Sequence, residues 1–249
     1  MTTGTTSGPP TRPLVIAHRG ASAVAPENTI AAFEQAITDG ADAIELDLHL
    51  SRDDQLVVIH DASVGRTTNG SGSVRDRTLR ELKRLDAGGW RGPKFEGQQL
   101  QTLQEVLERF RDRTRFWIEL KGGSDRYPGI EERVVSAIEI YDVLDRALVQ
   151  SFDRRALEQI RSLSDQVRIG VLSDRRPLRP IIGSLVPPYA LCPSADTITD
   201  GDIAEIRRAG LDCYVWTVNE PAQMDRLIHY GVSGIITDRP ELLRTRLDR

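Results

Sequence analysis

The stretch Glu45-Leu46-Asp47-Leu48-His49-Leu50-Ser51-Arg52-Asp53-Asp54-Gln55-Leu56-Val57-Val58-Ile59-His60-Asp61 decides how this chain is read. In its first half Glu45, Asp47 and His49 alternate with Leu46, Leu48 and Leu50. Strand side chains have period two, so the polar three share a face. Leu56 to His60 reads as a second strand, and Arg52-Asp53-Asp54-Gln55 is too short for a crossover helix, so the pair reads as a hairpin. With Ser51 paired to Leu56, Asp47 falls opposite His60, and opposed residues point to one face. The hairpin then presents Glu45, Asp47 and His60 together, which suits a hard divalent cation beside an acid/base group. Alternation alone is also what any half-exposed hairpin shows, so the remaining chain has to decide.

Working outward, Leu14 to Ala17 is a short apolar strand ending at His18-Arg19-Gly20. A helix follows Glu27-Asn28-Thr29, with Asn28 or Thr29 as its N-cap, and Gly40 ends it. Strand, helix, strand is a βαβ unit. After His60 the pattern breaks into turn signals, and residues 61–113 read as an insertion anchored by Leu82, Leu85, Trp90 and Phe95. Short helical segments inside it follow Thr78 and run through Leu103 to Phe110. Alternation of strand and helix then resumes, with a weak helix from Leu178 to Leu185 and a last helix capped by Asp238 with Pro240 in its first turn. Strands are expected at 14–17, 43–49, 116–121, 147–151, 167–172, 190–192, 212–217 and 234–236. Eight βα units in a chain of 249 residues predict an α/β fold, a TIM (β/α)8 barrel with a small insertion after the second barrel strand. Residues 1–12, rich in Thr, Gly, Ser and Pro, read as a disordered tail, and 13–249 as the barrel domain.

In such a barrel chemistry sits where strands end. The candidates there are His18, Glu45, Asp47, Glu119, Lys121, Ser151, Trp216 and Asp238. Glu119 and Lys121 share a strand face; they are either a structural ion pair or a third metal carboxylate with a phosphate contact. Arg19, between His18 and Gly20, suits bidentate recognition of an oxyanion. Three carboxylates, a divalent cation, Arg19 and Lys121 leave one positive charge, which a phosphodiester balances. Two histidines can then supply the proton transfers of P–O cleavage.

A net charge of −4 argues against nucleic-acid and anionic-membrane partners. No apolar run reaches the ~20 residues of a spanning helix. The two cysteines, Cys192 and Cys213, lie in apolar stretches and read as buried thiols. A cytoplasmic protein acting on a small molecule is expected, with its oligomeric state open.

The chain resembles the glycerophosphodiester phosphodiesterase family. The resemblance runs from His18 to Pro240 and rests on His18-Arg19-Gly20, Glu27-Asn28-Thr29, Glu45-Leu46-Asp47, His60-Asp61, Arg66-Thr67-Thr68-Asn69-Gly70, Ile118-Glu119-Leu120-Lys121, Trp216-Thr217-Val218-Asn219 and Thr237-Asp238-Arg239-Pro240. Each motif alone is weak, and all in this order are highly specific. The chain departs from the family pattern at Leu100-Gln101-Thr102-Leu103, where many members carry Ile-Pro-Thr-Leu. The resemblance implies His18 and His60 as the acid/base pair and Glu45, Asp47 and Glu119 as ligands of Ca²⁺ or Mg²⁺. It further implies Arg19 and Lys121 as phosphate contacts and Trp216 in the substrate pocket. Metal-dependent hydrolysis of glycerophosphodiesters to an alcohol and sn-glycerol 3-phosphate follows as the expected activity. Its rivals are a lysophospholipase D-like lipid phosphodiesterase on the same scaffold and a non-catalytic barrel that binds metal or phosphodiester.

Overall fold

A computed structural model describes residues 12–176, 178 and 187–248. The disordered tail expected over residues 1–12 and the weak helix expected from Leu178 to Leu185 fall outside these, apart from Arg12 and Leu178. Strand β1 (Leu14–Ala17) leads through helix α1 (Ile30–Thr38) to β2 (Ala43–Leu50), the first βαβ unit. Thr29 is the N-cap of α1, its hydroxyl accepting from the amide of Ala32. Gly20 takes the chain out of β1 at φ 83°, a conformation that favours glycine.

An excursion follows β2. It comprises β3 (Leu56–Val58), the short helix α2 (Leu79–Leu82) and β4 (Gln101–Thr102), with β4 antiparallel to β3. Val57, Ile59, Val64, Val74, Leu82, Ala87 and Leu100 form its own apolar cluster. Trp90 is not the anchor expected of it, being 41% exposed with its indole N–H donated to the Ala87 carbonyl. The loop around it is held by polar contacts instead: the Asp86 carboxylate accepts from the amides of Gly88, Gly89 and Gly97. Helix α3 (Leu103–Phe110) begins at the Thr102–Glu105 capping box. Its Leu103, Val106, Leu107 and Phe110 pack into the barrel's core, with Phe110 edge-on to Phe33 of α1 at 6.1 Å between centroids.

The remaining elements alternate. They are β5 (Arg115–Leu120), α4 (Ile130–Ile140), β6 (Ala147–Ser151), α5 (Arg154–Leu163), β7 (Arg168–Ser173), β8 (Ala190–Pro193), α6 (Asp200–Arg208), β9 (Asp212–Val215), α7 (Pro221–Tyr230), β10 (Gly234–Thr237) and α8 (Pro240–Leu247). The described residues form one sheet ordered β1-β10-β9-β8-β7-β6-β5-β2-β3-β4, and pairing of β1 with β2 closes the ring. Setting aside β3 and β4, which pair antiparallel outside the ring, eight parallel strands make the expected TIM barrel. No described helix is long and apolar enough to cross a membrane.

The barrel interior is layered. Ile16, Ala43, Trp117, Leu148, Leu172, Ala190, Cys192, Tyr214 and Ile236 fill it with an apolar plug. On β5, inward Trp117 belongs to this plug, whereas Phe116, Ile118 and Leu120 face the helices. Two residues further along β5 comes Glu119, beyond the plug and toward the strand's C-terminal end. Glu119 therefore stands above an apolar floor.

The turn at Gly20 aims the residues just before it. A Cβ there would lie 2.6 Å from the Ala32 carbonyl carbon, where no atom fits. Gly20→Ala is expected to cost about 1–3 kcal/mol of stability from the left-handed backbone alone, more from the clash, and to displace His18 and Arg19. Thermal unfolding with activity on the surviving folded protein checks this; a wild-type midpoint would show that α1 yields freely.

Candidate active site

At the C-terminal mouth His18, Arg19, Glu45, His60, Glu119, Lys121 and Trp216 line one cavity of about 130 Å³, with Gln150, Phe152, Leu172, Thr217 and Ile236 completing the wall. Asp47, fully buried, sits among them. These are the residues singled out above. The strand register explains their meeting: β2 and β5 run parallel with Asp47 level with Glu119, so inward side chains two residues apart on each strand stack toward the mouth.

The register predicted for the hairpin is one residue out. Leu48 pairs with Val58 and Leu50 with Leu56, so Ser51 meets Gln55 and Asp47 lies across from Ile59. Strand β3 ends at Val58, and after the Ile59 amide donates to the Asp47 carbonyl the chain turns away from the ladder. His60 reaches the cavity through that turn, not through cross-strand pairing. His49 is buried away from the cavity. Its Nε2 lies 2.9 Å from the His60 carbonyl, to which it donates, and its Nδ1 accepts from the Tyr127 hydroxyl at 2.5 Å. Burial lowers its pKa to about 4, so it stays neutral and props the turn that carries His60.

Glu45, Asp47 and Glu119 offer carboxylate oxygens within 4.8 Å of one another, all buried. Lys121 Nζ lies 2.9 Å from Asp47 and 2.6 Å from Glu119, and Arg19 Nε 3.3 Å from Asp47. Asn28 Nδ2 donates to Asp47 at 2.8 Å, and the Arg19 amide to Glu45 at 3.0 Å. Two cations do not balance three carboxylates. Burial, then repulsion from Asp47 and Glu119, raises the Glu45 pKa well above the carboxylate range. Burial, then Asp47, raises Glu119 to about 7. Asp47 goes the other way: against the cost of burial, Lys121 and Arg19 hold it well below its ordinary value. Of its two oxygens, Oδ1 faces the Lys121 ammonium and Oδ2 faces Arg19 and Asn28. Three converging hard oxygens with charge to spare could hold a divalent cation.

Each histidine that lines the cavity is tied to a carboxylate. His18 Nδ1 is 2.7 Å from Asp238 Oδ1, and His60 Nδ1 is 2.7 Å from Asp61 Oδ1. A carboxylate accepts, so each Nδ1 carries the proton and in the neutral ring Nε2 is the nitrogen able to accept one. Asp238 also accepts from Ser22 Oγ and Asn219 Nδ2. It is not the helix cap expected of it: Arg239 occupies that position with no side-chain cap bond, because the Asp238 carboxylate is spent on His18. Asp61 and Glu27 are both bridged by Arg66. Asp238 is among the strand-end candidates; Glu27, Asp61, Arg66 and Asn219 sit on loops that strand periodicity does not read. Their signal lay in the motifs containing Glu27-Asn28, Asp61, Arg66, Asn219 and Asp238. Trp216 donates its indole N–H to the Cys192 carbonyl at 2.6 Å and meets Phe152 edge-on at 5.6 Å, forming an apolar lip opposite the charges.

Residues 18–242 match the family described as Glycerophosphoryl diester phosphodiesterase family. A glycerophosphodiester phosphodiesterase of Caldanaerobacter subterraneus subsp. tengcongensis is 44% identical over 232 residues, covering 92% of this chain and 96% of that protein. One of Bacillus subtilis is 35% identical, with 94% and 86% covered. The solved phosphodiesterase of Oleispira antarctica, in complex with the product sn-glycerol-3-phosphate, superposes with a TM-score of 0.83 at 28% identity, covering 96% and 98%.

The raised carboxylates make a metal prediction with a definite sign. A group whose folded pKa exceeds its unfolded value stabilises the fold below the unfolded value and loses that contribution as pH rises, for Glu119 through about 7. A cation relieves the resulting repulsion and binds only the deprotonated form. The rise in Tm on adding CaCl₂ or MgCl₂ should therefore be larger at pH 8 than at pH 5.5 by scanning calorimetry. An equal rise at both would place the cation elsewhere.

Proposed function

This chain belongs to the glycerophosphoryl diester phosphodiesterase family and hydrolyses glycerophosphodiesters, and from that premise we propose that it releases an alcohol and sn-glycerol 3-phosphate with His18 and His60 moving the protons. Glu45, Asp47 and Glu119 hold a divalent cation, Ca²⁺ or Mg²⁺, in this proposal. The observation that carries it is the convergence of two carboxylate-tethered histidines, two cations and three buried carboxylates on one small cavity.

A cavity of about 130 Å³ suits a glycerol phosphate group, with the alcohol leaving toward solvent. The cation, when bound, supplies polarisation of a phosphoryl or hydroxyl oxygen. With the carboxylates so engaged, Lys121 and Arg19 are free to meet charge developing on the phosphoryl oxygens. Burial lowers the His60 pKa, so its Nε2 is unprotonated at neutral pH and takes the proton of the nucleophile. His18, on a different chain segment, returns a proton to the leaving alcohol. Trp216 lines the alcohol side. The excursion over residues 61–113 supplies Asp61, the partner of His60, and Arg66, which in turn holds Asp61, and so belongs to one catalytic domain over 13–249. Two free, buried cysteines are consistent with the cytoplasm as its compartment.

Incubation with glycerophosphocholine should yield choline and sn-glycerol 3-phosphate, and excess chelator should abolish turnover until Ca²⁺ or Mg²⁺ is restored. Full activity in chelator would sink the metal site, and phosphocholine as product would put the cleavage on the wrong bond. His18→Ala and His60→Ala should each lose about 10²–10⁴-fold. A nitrophenol leaving group, which departs without a proton, should rescue the His18 variant and not the His60 variant; the reverse pattern exchanges the two roles.

A further inference from the structure

We infer that Arg66 is a positioning residue that sets the phosphate-facing Arg19 and the proton-transferring His60 from a single guanidinium; this rests on the roles just proposed for those two residues. Arg66 touches neither the cavity nor any of its carboxylates. It lies on the excursion and makes two bidentate contacts. Its Nε and NH2 donate to Asp61 at 2.8 and 3.0 Å, and its NH1 and NH2 to Glu27 at 2.7 and 2.9 Å. Each of those carboxylates has a second partner. Glu27 Oε1 accepts from Arg19 NH1 at 2.9 Å, and Asp61 Oδ1 from His60 Nδ1 at 2.7 Å. The chain Arg19–Glu27–Arg66–Asp61–His60 thus crosses from the end of β1 to the excursion without a gap.

The geometry of both ends needs such a brace. Arg19 has φ 57°, a left-handed conformation that a non-glycine residue holds only when its surroundings fix it. Its side chain is drawn two ways, toward Asp47 inside the barrel and toward Glu27 at the rim. His60 lies beyond the last ladder pair of β3, so no strand holds its ring. A planar fork with four donor contacts in fixed directions sets two carboxylates relative to each other, which an ammonium cannot do. The contact also shares charge: Asp61 divided between His60 and Arg66 attracts the imidazole proton less than Asp61 alone would. Arg66 itself is nearly half exposed, so the network adds little to global stability. Its consequence is placement.

The test is kinetic, on the full chain with glycerophosphocholine and saturating metal. Arg66→Ala should lose about 10–100-fold in kcat/KM, the scale of outer partners of a site. The loss should be divided: a raised KM through Glu27 and Arg19, and a lowered kcat through Asp61 and His60. Added guanidinium should restore part of it, and Arg66→Lys, which keeps the charge without the fork, should remain impaired. The acid limb of the kcat/KM profile should move to higher pH, since Asp61 then holds the His60 proton alone; Asp47, Lys121 and Arg19 also face His60 and are unchanged in charge. In double variants, Arg66→Ala should add little to the kcat loss of Asp61→Asn and little to the KM rise of Glu27→Gln. Wild-type kinetics in Arg66→Ala, a fully functional Arg66→Lys, or losses that multiply in both double variants would overturn the inference. Arg19→Ala and His60→Ala run in parallel separate the two failures. If they are dead and Arg66→Ala is not, only the clamp falls; if they are active, the proposed roles fall and the clamp with them.

Discussion

Three carboxylates crowded inside a barrel are tolerated here because Asp47 is gripped from several sides at once. Lys121, Arg19 and Asn28 all converge on a side chain with no exposure to solvent. A buried charge is retained only when paired and hydrogen-bonded. The positions of the other groups follow from that need. Lys121 must stand two residues beyond Glu119, just past the end of β5, Arg19 must leave β1 in a left-handed turn, and Asn28, also left-handed, must turn back from the cap of α1. Glu45 and Glu119, without their own full complement of cations, respond by holding protons more strongly. The cluster is thereby primed for one more positive charge.

The apolar plug beneath is the other half of this arrangement. Trp117 and Tyr214 meet edge-on at 5.0 Å and close the barrel under the carboxylates. Water is kept from the lower face of the cluster, which strengthens each ion pair above it. It also means that the carboxylates of the cluster face the mouth. Burial energy from the plug and from the helix-packed outer faces of the same strands offsets the desolvation of the site. Alternation along β5 shows how one strand serves both ends, with Phe116, Ile118 and Leu120 outward and Trp117 and Glu119 inward.

The barrel could be read from the chain because its strands are short apolar runs whose period and spacing are local properties. Glu45, Asp47, Glu119 and Lys121 were accessible for the same reason: the first three lie inside strands and Lys121 directly follows β5, where period two says which residues share a face. His60 was placed beside the carboxylates by a register that does not exist. The pairing of Leu50 with Leu56 is selected by the three-residue turn Arg52-Asp53-Asp54, closed by the Ser51 and Gln55 hydrogen bond, and no hydrophobic pattern distinguishes it from its neighbour by one. Asp238 read as a helix cap because Asp before Pro is a local signal, while its actual partner His18 is distant in sequence. Trp90 read as an anchor because composition cannot tell an aromatic packed under a loop from one lying on it.

What periodicity missed is thus of one kind. Asp61, Arg66, Glu27 and Asn219 lie on loops, and each holds a side chain that the strand period does not place beside it. Strands fix where a side chain emerges to within the pleat, but the direction of a ring or a guanidinium at the rim depends on partners in three dimensions. The division has a mechanical sense. A rigid ring sets the spacing of the carboxylates, while loop-borne hydrogen bonds set the rings of His18 and His60 at the cavity. His49 joins the two layers: it belongs to β2, yet its proton goes to the carbonyl of His60 on the loop. Through that bond the strand carrying Glu45 and Asp47 also holds the backbone of His60, so the distance from those carboxylates to that imidazole is tied to one rigid element.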